Sequence, residues 1–258
     1  MSDRDENSVK PVNVPGKEAA TAPLPKRFYA NVTIDTAAPE EGFAILLDGR
    51  AVRTPKKMPL VVPTRALAEA IAAEWAAQGE RIDPQTMPLS KLAITAIDGV
   101  GGAAAEVAAE IVKFAGSDLL CYRAEGPEAL VQRQAEVWDA LLQWCEAELG
   151  ACFILAEGVM PVEQSREALD RIAVEVAPFD ALALTGLHVM MTLTGSALLA
   201  LAHAKGRLSL EEAWAAAHLD EDWQISQWGE DAEAAERRAV RWAEMQAASR
   251  FLELLRPD

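Results

Sequence analysis

Residues 43–54 read Phe-Ala-Ile-Leu-Leu-Asp-Gly-Arg-Ala-Val-Arg-Thr, and they decide the fold of the first part of the chain. Phe43–Leu47 is an apolar run of strand length. Asp48-Gly49 supplies two residues that tolerate positive φ in a tight hairpin, and residues 51–54 give the returning strand. Upstream, Phe28, Ala30, Val32 and Ile34 alternate with Tyr29, Asn31, Thr33 and Asp35, the period of a strand with one buried face. Downstream, residues 60–62 add another short strand, so a small antiparallel sheet is predicted.

Thr64 then offers an N-cap to a helix whose positions Leu67, Ala70, Ile71, Trp75 and Gln78 fall three and four apart, with Gly79 placed to end it. Glu74 is the misfit on that face, and Trp75 reads as packing the helix on the sheet. After the irregular residues 82–88 the pattern turns helical and stays so. Residues 89–97 form a helix that Ser90 can cap, and helical spacing or composition recurs at 107–114, 130–144, 166–176, 182–204, 210–217 and 232–255. Residues 119–122 and 152–155 read as short strands between breakers. The predicted class is α+β: a tail over 1–25, a β-rich domain with one helix over 26–88, and a larger α-helical domain over 89–258.

Of the 258 residues 51% are hydrophobic and 25% charged, a balance that supports a globular core. The net charge of −16 repels phosphate backbones and anionic lipid, arguing against nucleic acid or a membrane surface as partner. The first 25 residues mix acids, lysines and prolines without an apolar core, the pattern of a mobile tail rather than a secretory signal. Residues 181–202 carry no charged side chain and are long enough to cross a bilayer. Thr185, His188, Thr192, Thr194, Ser196 and two glycines dilute them, so a buried core helix or helix pair is expected. Cys121, Cys145 and Cys152 include no Cys-x-x-Cys pair and are read as three buried thiols in a reducing compartment.

Catalytic chemistry finds little to stand on. Gly99-Val100-Gly101-Gly102-Ala103-Ala104 fits a dinucleotide fingerprint, but the segment before it is helix-like rather than a strand and no second βαβ unit follows, so it reads as an interhelical turn. A nucleotide- or cofactor-binding enzyme using that turn and the acidic C-terminal segment is the alternative reading. His188, His203 and His218 show no metal-ligand spacing, and Ser196 lacks the Gly-x-Ser-x-Gly elbow. No metal, cofactor or small-molecule substrate is expected. The anomaly is residues 211–236, with nine acids, no lysine or arginine, and Trp214, Trp223 and Trp228 interleaved. Acid clusters are usually solvated faces, yet tryptophan among them suits a protein interface.

In order, Lys26-Arg27-Phe28-Tyr29, Leu47-Asp48-Gly49-Arg50 with Arg53-Thr54-Pro55, Glu74-Trp75 with Gln78, Met87-Pro88-Leu89, Thr95-Ala96-Ile97-Asp98, Asp118-Leu119-Leu120-Cys121-Tyr122-Arg123, Gln134 with Trp138 and Trp144, Gly195-Ser196, and Leu219-Asp220-Glu221 with Gln224, Trp228 and Gly229 resemble the assembly chaperones that hold the α subunit of the F-type ATP synthase head. The resemblance implies a β-rich N-terminal domain, a helical C-terminal domain, no catalysis, and a role for the acidic segment that includes Glu221. On it rests the expectation that Trp223 and Trp228 anchor the client while Asp220, Glu221, Gln224 and Glu230 orient it. Trp75, Tyr122, Arg123 and Trp138 are expected to be structural or interface residues. The tail departs from a mitochondrial presequence, which points to a bacterial cytoplasm rather than a matrix.

Overall fold

The structure, a computed structural model, describes residues 23–36, 42–158 and 161–256. The reading of a mobile tail falls largely outside them. β1 (Val32–Asp35) pairs antiparallel with β2 (Phe43–Leu47), Val32 opposite Leu47, and on its other side β2 pairs with β3 (Arg50–Ala51) and β4 (Val61–Val62). Asp48 and Gly49 turn the β2–β3 hairpin with φ of 48° and 78°, as a primed turn requires. The Asp48 carboxylate also accepts the amides of Ala30 and Asn31, and those hydrogen bonds hold its pKa below the usual carboxylate range.

That clamp corrects the reading of 28–31 as strand. Tyr29, not Phe28 or Ala30, is buried, while Phe28 is 74% exposed. The Tyr29 hydroxyl donates to the Trp75 carbonyl at 2.8 Å, and its ring lies 5.9 Å from the Trp75 ring. Side-chain anchoring overrides the alternation there; the strand begins only at Val32.

α1 (Arg65–Ala76) is capped by Thr64, whose hydroxyl accepts from Leu67 N. It stops short of Gly79 because buried Gln78 closes its end, donating to the Glu74 carbonyl and accepting from Asp83 N. α2 (Pro88–Thr95) has no cap of its own. Ser90 is therefore not the cap that its position suggested; the Glu74 carboxylate of α1 accepts Leu89 N at 2.7 Å, Ser90 N at 2.8 Å and Ser90 Oγ at 2.7 Å. The misfit acid on α1 is thus the cap of α2, placed where the helix dipole favours negative charge.

A π-helical turn at Ala96–Val100 extends α2, and residues 101–103 turn the chain into α3 (Ala104–Ala115), so the glycine-rich stretch is a plain interhelical turn. β5 (Tyr122–Arg123) follows a 3-10 turn at Leu119–Cys121 and pairs in parallel with β6 (Ala156–Glu157); between them α4 (Glu128–Gln134) and α5 (Ala140–Trp144) are joined by a π-helical turn. Residues 152–155 are not a strand: the Gln164 side chain satisfies both the N–H and the carbonyl of Ile154 in place of a neighbouring strand. Cys152 is exposed on this stretch, contrary to expectation. Cys121 and Cys145 are buried, and burial pushes both thiols up to about 12.

The rest is α6 (Arg166–Val176), α7 (Ala181–Thr194), α8 (Ala197–Ala204), α9 (Leu210–Ala217), α10 (Leu219–Trp228) and α11 (Ala232–Leu254). The uncharged stretch is a pair of core helices broken at Gly195, φ 68°, and no single helix among the described residues is long and apolar enough to cross a membrane. Ser196 caps α8, and fully buried Asp118 accepts from Ser196 Oγ at 2.6 Å, Leu198 N at 3.0 Å and Leu120 N at 3.1 Å. One apolar cluster fills the helical body with Ile111, Trp138, Leu187 and Met245. A second lies between sheet and helices, where Ile45, Leu67 and Ile71 meet Phe251 and Leu254. α11 contributes to both cores and ties the two parts together.

Candidate functional site

The acidic run becomes the corner between α9, α10 and the start of α11. Ser209 and Glu212 form a capping box at the head of α9. The chain breaks at buried His218, whose ring stacks 3.8 Å from Trp214, which in turn meets Trp242 at 5.1 Å. Burial lowers the His218 pKa, so the ring is neutral near pH 7. α10 starts with Asp220, Glu221 and Asp222 in its first turn, three acids at the positive end of the helix dipole. Gly229, φ 87°, ends it.

The acids then separate. Asp220 is half-buried and accepts from Gln134 Nε2 at 2.7 Å, while Gln134 Oε1 accepts from Ala124 N, so Asp220 joins α10 to α4. Asp222 pairs with Arg238 of α11 at 2.5 Å, and that bond raises the guanidinium pKa further. Glu221, Gln224 and Trp228 lie three and four residues apart on one face and, with Glu230 and Arg238, line a groove of about 240 Å³ between α10 and the head of α11. Trp228 stands at its lip, 87% exposed. The structure thus brings together four of the six expected client-binding residues. Asp220 is drawn into an internal bond, and Trp223 is half-buried and does not line the groove.

Other expected residues are structural. Trp138 is 1% exposed and donates its indole N–H to the Ala216 carbonyl at 2.9 Å, which fixes the end of α9 just before the corner. Arg123 lies 5.4 Å from the Trp138 ring and 2.7 Å from Asp139, a pairing by charge rather than by a well-directed hydrogen bond. Half-buried Tyr122 pairs with Ala156 in the small parallel ladder, and Trp75 packs against Tyr29. Sequence reasoning missed Arg238, the base in the groove, because it lies beyond the acidic run and reaches Asp222 only once α11 folds back. Among the described residues no cluster of histidine, cysteine and acid suits a metal.

A family profile described as ATP12 chaperone protein matches residues 26–146, a span that ends before the groove. The solved structure of Atp12 from Paracoccus denitrificans superposes with a TM-score of 0.86 at 45% identity, over 90% of this chain and 99% of that one. A candidate chaperone from Agrobacterium tumefaciens superposes with a TM-score of 0.87 at 55% identity, over 90% of this chain and 87% of that one. The family and the Agrobacterium relative are named as chaperones, not as enzymes.

Proposed function

The chain belongs to the ATP12 chaperone family, a family of chaperones in ATP synthase assembly, and from that premise we propose that its client is the unassembled α subunit of the F-type head. The free subunit exposes a large apolar surface destined for its β neighbour, and such a surface aggregates unless covered. The cover has to come off again, so a modest interface with a few strong anchors serves better than a broad one. The observation that carries the reading is Trp228, held 87% exposed at the lip of a groove flanked by Glu221 and Glu230. An exposed indole beside two acids suits a client segment that offers an apolar side chain next to lysine or arginine. The proposed compartment is a bacterial cytoplasm.

Co-purification with separately produced α and β subunits tests this. Selective capture of free α is expected, and Glu221→Lys, which places a cation beside Arg238, should lower that capture at least tenfold with the thermal melt unchanged. Capture of β but not α, or undiminished capture by a folded Glu221→Lys protein, overturns it.

A further inference from the structure

A second and larger cavity, about 730 Å³, opens on the N-terminal sheet. Phe28, Tyr29 and Trp75 give it aromatic surface, Arg50 and Arg53 give it positive charge, and Asp48 is the single acid among its lining residues. Asp48 is already engaged by the amides of Ala30 and Asn31. Arg50 and Arg53 are exposed, and no ion pair among the described residues includes either. Arg53 donates one Nη1 hydrogen bond to the Lys57 carbonyl at 2.9 Å, and Arg27, 4.6 Å from the Tyr29 ring, is not among the lining residues and donates to the carbonyls of Tyr29, Ala30, Ala76 and Gln78. Phe28 keeps its ring 74% in solvent beside this mouth, and the Trp75 indole N–H is buried without an acceptor among the described residues. Two arginines outside any ion pair, an exposed ring and a donor without a partner thus line one cavity. Its charge is opposite to that of the α10 groove.

We propose that this cavity is a second contact site for the client, taking a segment of the α subunit that carries an acidic side chain next to an apolar one. The inference rests on the α-subunit reading. Arginine suits a carboxylate through paired N–H donors, and the aromatic surface takes the apolar neighbour. Two weak sites of opposite charge do what one strong site cannot. Together they fix the orientation of the client and hold it by effective concentration, yet each can be displaced separately as the β subunit arrives.

The test is an Arg50→Glu, Arg53→Glu double variant of the full chain, with Phe28→Ser as a second variant should the first lose its fold, each compared with Glu221→Lys in the α-subunit capture assay at low and high salt. The expected result is at least a tenfold loss of capture by the double variant, a smaller loss at high salt because exposed charges are screened, and a native melt. In the parent, a photo-crosslinking residue at position 28 should mark an acidic stretch of the α subunit. Full capture by a folded double variant, or by Phe28→Ser if that variant is needed, overturns this site while leaving the α10 groove standing, provided Glu221→Lys fails in the same assay. If the parent captures no α subunit, both readings fall. Sedimentation and native mass of the parent alone address two other occupants: concentration-dependent self-association removed by the double variant, or a bound small anion, each refutes the client assignment of this cavity.

Discussion

Replacing Trp228 by alanine should leave the fold nearly untouched and cripple the chaperone. With the residue 87% exposed, only a small fraction of its surface is buried in the folded chain. A tryptophan buries at most roughly 250 Å², so about 30 Å² is at stake, less than ~1 kcal/mol at about 25 cal/mol per Å². For a chain of this size that lowers Tm by no more than about 3 °C. Covering the exposed part of the ring under a client removes roughly 200 Å² from water, and even half of it realised is worth about 2–3 kcal/mol, a loss of roughly 30- to 150-fold in Kd on truncation. The control is Trp138→Ala, which empties a core position at 1% exposure and leaves the Ala216 carbonyl without its donor. About 4 kcal/mol of stability should go with it. The assays are thermal and urea denaturation followed by circular dichroism, and titration of α subunit against each variant at one ionic strength. If Trp228→Ala binds the α subunit as tightly as the parent, the indole is not an anchor and the reasoning fails; if it melts far below the parent, the ring is structural after all.

Glu74→Ala removes three charge-assisted hydrogen bonds from the first turn of α2 and should cost about 3 kcal/mol in urea denaturation, with Glu74→Gln losing about half as much; a cost below about 0.5 kcal/mol would show that α2 is held otherwise. Asp118 titrates in the opposite sense to a salt-bridged acid. Burial lifts its pKa from 3.8 to about 6 in the folded chain despite the donors from Ser196, Leu198 and Leu120, so its protonated form favours folding. That contribution is full below pH 3.8 and is lost as pH rises through 6. Denaturation at pH 5 and pH 7 should therefore show the parent gaining stability at the lower pH relative to Asp118→Asn, by an amount of order 1–2 kcal/mol. Parallel stability profiles for the two proteins would refute this.

The sheet was legible because its signals are local: Asp48-Gly49 can do little but turn, and Phe43–Leu47 and Val61–Val62 pair where their composition predicts. The helical body was legible in outline for the same reason, and Gly195 divides α7 from α8 as a helix pair requires. What failed depended on partners distant in sequence. Ser90 looks like a cap until Glu74, sixteen residues away, takes its hydroxyl and amide. Residues 28–31 look like strand until Tyr29 is drawn to Trp75. Cys152 looks like a core thiol, but the segment that follows it is held by the Gln164 side chain at the surface.

The acidic corner shows the same limit at a finer grain, and helix geometry explains it. Trp223 and Trp228 are five residues apart, which on an α-helix puts their side chains about 140° from one another. They cannot both face one groove, so a pair of anchors on a single helix face was excluded by spacing alone. Glu221, Gln224 and Trp228, at intervals of three and four, do share a face, and it is the face that meets Arg238 and the head of α11. Asp220 and Asp222 flank that face and are consumed internally, one by Gln134 and the other by Arg238. Those two bonds hold α10 in place, so the two acids consumed internally are what keep Glu221 and Trp228 facing the groove.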